Sequence, residues 1–279
     1  MTQEEMKELQ RVAHRIRLSV VKSVAAAGSG HPGGSLSVAD IMATLYFKVM
    51  RIDPKNPKWP ERDRFVMSKG HAAPVLYATL AEAGFFPKEE LLTLRKFGSR
   101  LQGHPSMRHV PGVEISTGSL GQGLSAANGM AIAAKLDNLP TRVYVILGDG
   151  ESQEGQIWEA SMTSVHRKLD NLMVFLDYNG LQIDGSIVDV KSFTDPAAKW
   201  KAFGWHVLEI DGHDIQAILD ACNKAKATTG RPTLVVAHTV KGKGVPFMEN
   251  VADWHGKAPS KEQTEEAVSH IEALIGSLA

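Results

Sequence analysis

The chain has 279 residues, enough for one large domain or two small ones, and 43% of them are apolar, an ordinary supply for a buried core. Its 31 Lys and Arg balance 31 Asp and Glu, and a formal charge of zero argues against indiscriminate binding to nucleic acid or an anionic membrane. The single cysteine, Cys222, excludes an intramolecular disulfide and argues against a thiolate metal cluster. The polar, acidic start Met1-Thr2-Gln3-Glu4-Glu5 has no signal-peptide layout, and no apolar run approaches the roughly 20 residues of a membrane span, so a cytoplasmic protein is expected.

In chain order, Met6, Leu9, Val12, Ile16, Val20 and Val24 recur at helical spacing and predict an amphipathic helix over 4–27, ended by Gly28 and Gly30. A second helix is expected over 38–50. The Asp53-Pro54, Asn56-Pro57 and Trp59-Pro60 steps then impose a non-helical connection. A short strand follows at 64–68, a helix at 72–83 stopped by Gly84, and an Ala-rich helix at 124–136 ended before Pro140. Strand-like runs at 143–147 and 172–177 flank a helix at about 154–166. Further strands are expected at 206–210 and 234–239, and a last amphipathic helix at 261–276. Strands alternating with helices predict an α/β domain whose doubly wound, mostly parallel sheet is covered on both faces. The expected organisation is one domain over 1–256 and a helical tail over 257–279, with no second domain.

The most informative segment is Gly148-Asp149-Gly150, followed thirty residues after Asp149 by Asn179. The strand–helix–strand order predicts a right-handed crossover between parallel strands, which delivers Asp149 and Asn179 at neighbouring carboxyl ends. One carboxylate and one amide oxygen are hard ligands, too few to hold a cation alone. Mg²⁺ completes such a site with phosphate oxygens and water, and Gly150 lets backbone approach a phosphate. Taken alone, Gly-Asp-Gly and Asn179-Gly180 are common turns. The run Gly28-Ser29-Gly30-His31-Pro32-Gly33 fits a dinucleotide fingerprint, but it follows a long helix rather than a strand and contains a proline, so that reading fails.

Four histidines, His31, His71, His104 and His255, each adjoin a glycine in a turn-like setting. Glycine keeps the backbone thin beside an imidazole that can donate to hydroxyl or carbonyl oxygens and exchange protons near neutral pH. Any single histidine is more often a surface or satisfied core residue, and His14, His109, His166 and His213 are read that way.

The string from Gly148 through Glu154-Gly155, Trp158-Glu159-Ala160 and Lys168-Leu169-Asp170-Asn171 to Asn179 resembles the thiamine diphosphate enzymes, and more narrowly the transketolases, over about residues 15–255. The resemblance implies Mg²⁺ held by Asp149, Asn179 and the Leu181 carbonyl. It implies a cofactor contacted by His71, Gly118, Ser119, Leu120, Gly150, Glu151, Asn179, Ile183, Lys241 and His255. His31, His104 and His255 would face the sugars, and His71 the diphosphate and reactive ring. Gly118-Ser119-Leu120-Gly121-Gln122-Gly123 reads equally as a cap for the following helix, Lys241 as a solvated lysine, and Glu154 as a helix cap. The resemblance also implies that Glu154 meets an activating glutamate of a separate pyrimidine-binding domain. No such domain is found in the last 24 residues after His255. The expectation is therefore the N-terminal subunit of a two-chain transketolase of the pentose phosphate pathway, acting on sugar phosphates. It would form a homodimer within an α2β2 heterotetramer with a C-terminal companion. Gly34 stands where some relatives place a cofactor-contacting side chain. A carboligase half for another sugar, a 1-deoxyxylulose-5-phosphate synthase domain and a non-catalytic relative remain alternatives.

Overall fold

The computed structural model describes residues 1–278. Its first helix, α1 (Gln3–Ala27), opens on a capping box, in which Thr2 accepts from the Glu5 amide and Glu5 reaches back to Thr2, and closes on Gly28 at φ 61°. Next come α2 (Pro32–Leu36) and α3 (Ala39–Thr44), which runs into one π-helical turn at Leu45–Val49. The helix expected over 38–50 is found at 39–49, with its last turn π-helical, and the short α2 before it is an addition to that expectation. Ser37, between α2 and α3, donates its hydroxyl to the buried Asp177 carboxylate at 2.7 Å, a tertiary bond that periodicity does not report.

The strands and helices that follow are β1 (Arg64–Met67), α4 (Ala73–Glu82), α5 (Gln122–Leu136), β2 (Val143–Gly148), α6 (Gly155–His166) and β3 (Leu172–Tyr178). A small hairpin, β4 (Leu181–Gln182) and β5 (Gly185–Ser186), leads into α7 (Ile187–Lys191) and α8 (Pro196–Ala202). The chain ends with β6 (His206–Asp211), α9 (Ile215–Ala227), β7 (Thr233–His238) and α10 (Lys261–Ser277). The hairpin, α7, α8 and α9 are not anticipated by the sequence reading. For α9 the signal was present, since Asp214 caps it through the amides of Gln216 and Ala217 and Ile215, Ile218 and Cys222 are buried at helical spacing.

The main sheet is wholly parallel, in the order β1-β2-β3-β7-β6. The pleat divides its side chains between two cores. Phe65, Met67, Tyr144, Ile146, Met173, Phe175 and Val235 join the core under α1, α3, α4, α9 and α10. Val66, Val143, Val145, Leu147, Leu172, Val174 and Val236 join the core under α5, α6 and α8. With both faces covered, the central strands read as near-continuous apolar runs. The segment 261–277 is held against this body: α10 lies along α1 with Ala267 and Ile271 fully buried.

Truncating Ile271→Ala should cost about 2–5 kcal/mol. A lowered urea midpoint with an unchanged slope is the expected result. An unshifted midpoint would mean that α10 adds nothing to the stability of the core.

Candidate active site

The parallel register pairs Gly148 with Asp177, so the turns after β2 and β3 leave the sheet at one level, beside the end of β7. Asp149 is 3% exposed, and its two carboxylate oxygens accept from Gly150 N and Gly180 N, both at 2.7 Å. The Asn179 amide donates through Nδ2 to Asp177 at 2.8 Å, which turns Oδ1 the other way to accept from Leu181 N at 3.1 Å. The Leu181 carbonyl accepts from Lys241 Nζ at 3.2 Å. These groups border a cleft of about 330 Å³, lined also by Gly34, His71, Leu120, Gly150, Glu154, Ile183 and His255.

The donor set suits a hard cation. Burial, with the neighbouring Asp177 charge, pushes the Asp149 carboxyl up to about 7 despite its two backbone donors. Among the described residues no cluster of three or more His, Cys, Asp or Glu stands ready for a metal. A cation here would have to complete its shell with a carbonyl, an amide and ligand oxygens, which is how Mg²⁺ is bound beside phosphates.

Beneath the cleft lies a buried ion pair that the sequence reading missed. Lys69 Nζ donates to Asp177 Oδ2 and to the Gly34 carbonyl, both at 2.6 Å, and Asp177 also accepts from Ser37, Asn179 and Thr239. Burial raises the Asp177 pKa, but the Lys69 ammonium and these hydrogen bonds outweigh it and hold the carboxyl below its ordinary value. The available signal was a charged residue at the end of an otherwise apolar strand. A Cβ on Gly34 would lie 3.6 Å from Lys69 Nζ and 3.7 Å from His71 Nε2, ordinary contact distances, so space alone does not demand glycine at this wall.

The structure brings the four histidines together. Ring centroids lie 5.3 Å apart for His31–His71, 5.4 Å for His31–His255, 5.0 Å for His71–His255 and 6.5 Å for His31–His104. Burial and nearby cations keep His31 at about 4 and His255 at about 3, and depress His71 and His104 as well, so at neutral pH the rings are uncharged. His104 stands exposed at the outer end of the group, beside a wide basic hollow that includes Arg95 and Arg100.

Lys241 is buried rather than solvated, and burial lowers its pKa to about 8. Its loop is clamped from behind. Arg17 donates to Asp40 and to the Lys243 carbonyl, while His213 bonds Asp40 through Nδ1 at 2.7 Å and accepts from Val240 N at 2.9 Å. Glu151 is also buried, and its carboxylate is occupied by Ser68 Oγ, Gly121 N and Gly148 N. Glu154 is exposed at the start of α6 and forms no side-chain cap. Gly118 packs on His104, where an added Cβ would approach the ring within 3.0 Å, and Leu120 reaches the cleft. Ser119 lies between them and does not line it. Ile183, 65% exposed, forms an apolar lip on the hairpin.

A parallel α/β sheet with oxygen donors, a lysine and imidazoles gathered at its carboxyl edge has the layout of a ligand-binding α/β protein. Residues 8–272 match the family model described as transketolase, thiamine diphosphate binding domain, and the chain belongs to that family. It is 48% identical over 269 residues to the 6-deoxy-6-sulfo-D-fructose transketolase subunit SqwG of Clostridium sp. (strain MSTE9), covering 96% of this chain and 98% of that one. It is 46% identical over 276 residues to an apulose-4-phosphate transketolase subunit of Phocaeicola vulgatus, covering 99% and 97%. Human transketolase is 43% identical over 99% of this chain, which spans 44% of that protein. The structure of transketolase from Leishmania mexicana superposes with a TM-score of 0.89 at 36% identity, covering 96% of this chain and 41% of that one.

A carboxyl raised from 3.8 to about 7 by folding favours the folded state while protonated. That contribution is complete below pH about 4 and is lost as the pH rises through 7. Over roughly three pH units at about 1.4 kcal/mol each, the loss is on the order of 4 kcal/mol. In the cofactor-free chain, Asp149→Asn should therefore gain stability relative to the wild type between pH 5 and pH 8, read as a growing difference in Tm. A difference that does not change with pH would show that the carboxyl titrates normally.

Proposed function

We propose that this chain is the cofactor-binding subunit of a thiamine diphosphate- and Mg²⁺-dependent enzyme. The enzyme would transfer a two-carbon ketol unit from a ketose phosphate to an aldose phosphate. The observation that carries the reading is the convergence of the Asp149, Asn179 and Leu181 oxygens, Lys241 and the histidine group on one cleft. Asp149, Asn179 Oδ1 and the Leu181 carbonyl would hold Mg²⁺, and Lys241 with the Gly150 backbone would receive diphosphate oxygens. Leu120 and Ile183 would flank the cofactor ring, beside His71. When bound, thiamine diphosphate supplies the carbon nucleophile that takes up and passes on the two-carbon unit. The chain's own part is to bind and orient the sugar: neutral His31, His104 and His255 offer hydrogen bonds to its hydroxyl and carbonyl oxygens in a partly water-excluded site.

A companion chain is supported by the two relatives that match this chain along nearly their whole length and are named as subunits. The companion would bring the pyrimidine-binding domain, and Glu154, exposed at the rim, would meet its activating carboxylate. The expected assembly is two copies of each chain, acting in the cytoplasm and, for ordinary sugar phosphates, in the pentose phosphate pathway. Those same relatives are named for a sulfonated ketose and for apulose 4-phosphate, which supports a second reading: the same transfer with a different sugar.

The test is ketol transfer by the chain alone and by its mixture with the companion, using Mg²⁺, thiamine diphosphate and a panel of phosphorylated and sulfonated ketoses with aldose acceptors. Turnover by the mixture alone is expected. Full activity from the single chain would overturn the subunit reading, and no transfer with any sugar would overturn ketol transfer itself. In the mixture, Asp149→Ala should weaken cofactor binding by at least about 100-fold, measured calorimetrically at fixed Mg²⁺, since even outer-shell changes at metal sites cost about 10–100-fold.

A further inference from the structure

His31 and His255 face one another in the channel with ring planes at 85° and centroids 5.4 Å apart, and each has a cation behind it. Arg95 Nη2 lies 3.2 Å from His31 Nδ1, while Arg95 Nη1 donates to Ser29 Oγ at 2.9 Å. Lys241 Nζ lies 3.1 Å from His255 Nδ1 and donates also to the Leu181 carbonyl. A guanidinium has only donors, and so has an ammonium. Both Nδ1 atoms must therefore accept, and a neutral imidazole that accepts at Nδ1 carries its one proton on Nε2.

We infer that Arg95 and Lys241 are positioning residues that fix the tautomer of these two histidines, so that each presents an Nε2–H donor to the oxygens of the bound sugar. The part of this inference that concerns the sugar rests on the ketol-transfer reading above. A cation at Nδ1 opposes imidazolium formation, in line with the depressed pKa values of both rings. Among the described residues none of the four channel histidines is hydrogen-bonded to a carboxylate, the usual partner that places the proton on Nδ1. The same molecule contains that opposite case. His213 bonds Asp40 through Nδ1 and accepts from Val240 N at Nε2, and so carries its proton on Nδ1. Three chemically identical side chains in one fold are thus set to two opposite tautomers by what stands behind Nδ1: a cation for the channel pair, a carboxylate for the structural histidine. Arg95 also explains why Ser29-Gly30-His31 leads into the channel, since one guanidinium holds the serine and the ring together.

The test is a long-range ¹H–¹⁵N spectrum of the full chain, labelled at histidine and recorded at pH 7, with His31→Asn and His255→Asn used to assign the two rings. The expected spectrum shows Nε2–H for His31 and His255, and Nδ1–H for His213. Nδ1–H on either channel ring in the wild type would overturn the inference for that ring, whatever the variants do. Arg95→Met should convert His31 to a mixture of tautomers and lower kcat/KM of the reconstituted complex by at least about tenfold, the effect of one lost charge-assisted hydrogen bond. Arg95→Lys should restore the Nε2–H signal and most of the rate. An unchanged His31 tautomer in Arg95→Met would show that Arg95 does not set it. These spectra require neither cofactor nor sugar, so they decide the tautomers independently of the turnover assays that decide the reaction.

Discussion

The Asp177 carboxylate is the group on which the remainder of the site depends. Fully buried at the end of β3, it accepts from Lys69 after β1, from Thr239 after β7, from Ser37 between α2 and α3, and from Asn179 in its own turn. A carboxylate in such a place is costly unless every lone pair is used, and here the ammonium and three neutral donors use them. Four segments distant in sequence are thereby held to one point. The hub also decides which way the Asn179 amide faces, because Nδ2 is consumed by Asp177 and Oδ1 is left to accept from Leu181 N. Lys69 carries the constraint to the opposite wall through the Gly34 carbonyl.

Above the hub the site divides into two electrostatic regions. One end holds the Asp149, Asn179 and Leu181 oxygens, and Asp149 is kept from ionising readily by burial and by the Asp177 charge. The other end holds uncharged imidazoles backed by Arg95 and Lys241. Under the proposed function the first end would take the metal and diphosphate and the second the sugar. Lys241 belongs to both, because its ammonium reaches the Leu181 carbonyl and the His255 ring from a loop clamped by Arg17, Asp40 and His213.

Close packing of the loops that carry these groups explains two of the glycines. A Cβ on Gly70 would meet Gly118 N at 2.6 Å, and one on Gly123 would meet the Ser68 hydroxyl at 2.4 Å. The loop bearing His71 and the loop bearing Leu120 are therefore pressed backbone to backbone, with Glu151 bridging Ser68 and Gly121 at their base. Side-chain bulk at either glycine would push apart the two loops that carry His71 and Leu120.

The strands, most of the helices and the edge at which Asp149 and Asn179 emerge were legible in the sequence. They depend on local periodicity and on the handedness of strand–helix–strand crossovers, both of which act over short stretches of chain. The glycine-flanked histidines were legible as a group for the same reason. The Ser37–Asp177 bond, the Lys69–Asp177 pair, the Arg95 and Lys241 bonds to imidazole and the clamp at His213 were not. Each joins residues from 14 to more than 200 positions apart, as in Lys241–His255 and Arg17–Lys243. Sequence by itself determined which chemical groups the chain carries and which strand ends deliver them. Only the tertiary structure decided which lone pair faces which proton, because that follows from long-range packing in a buried polar site where every donor must find its acceptor.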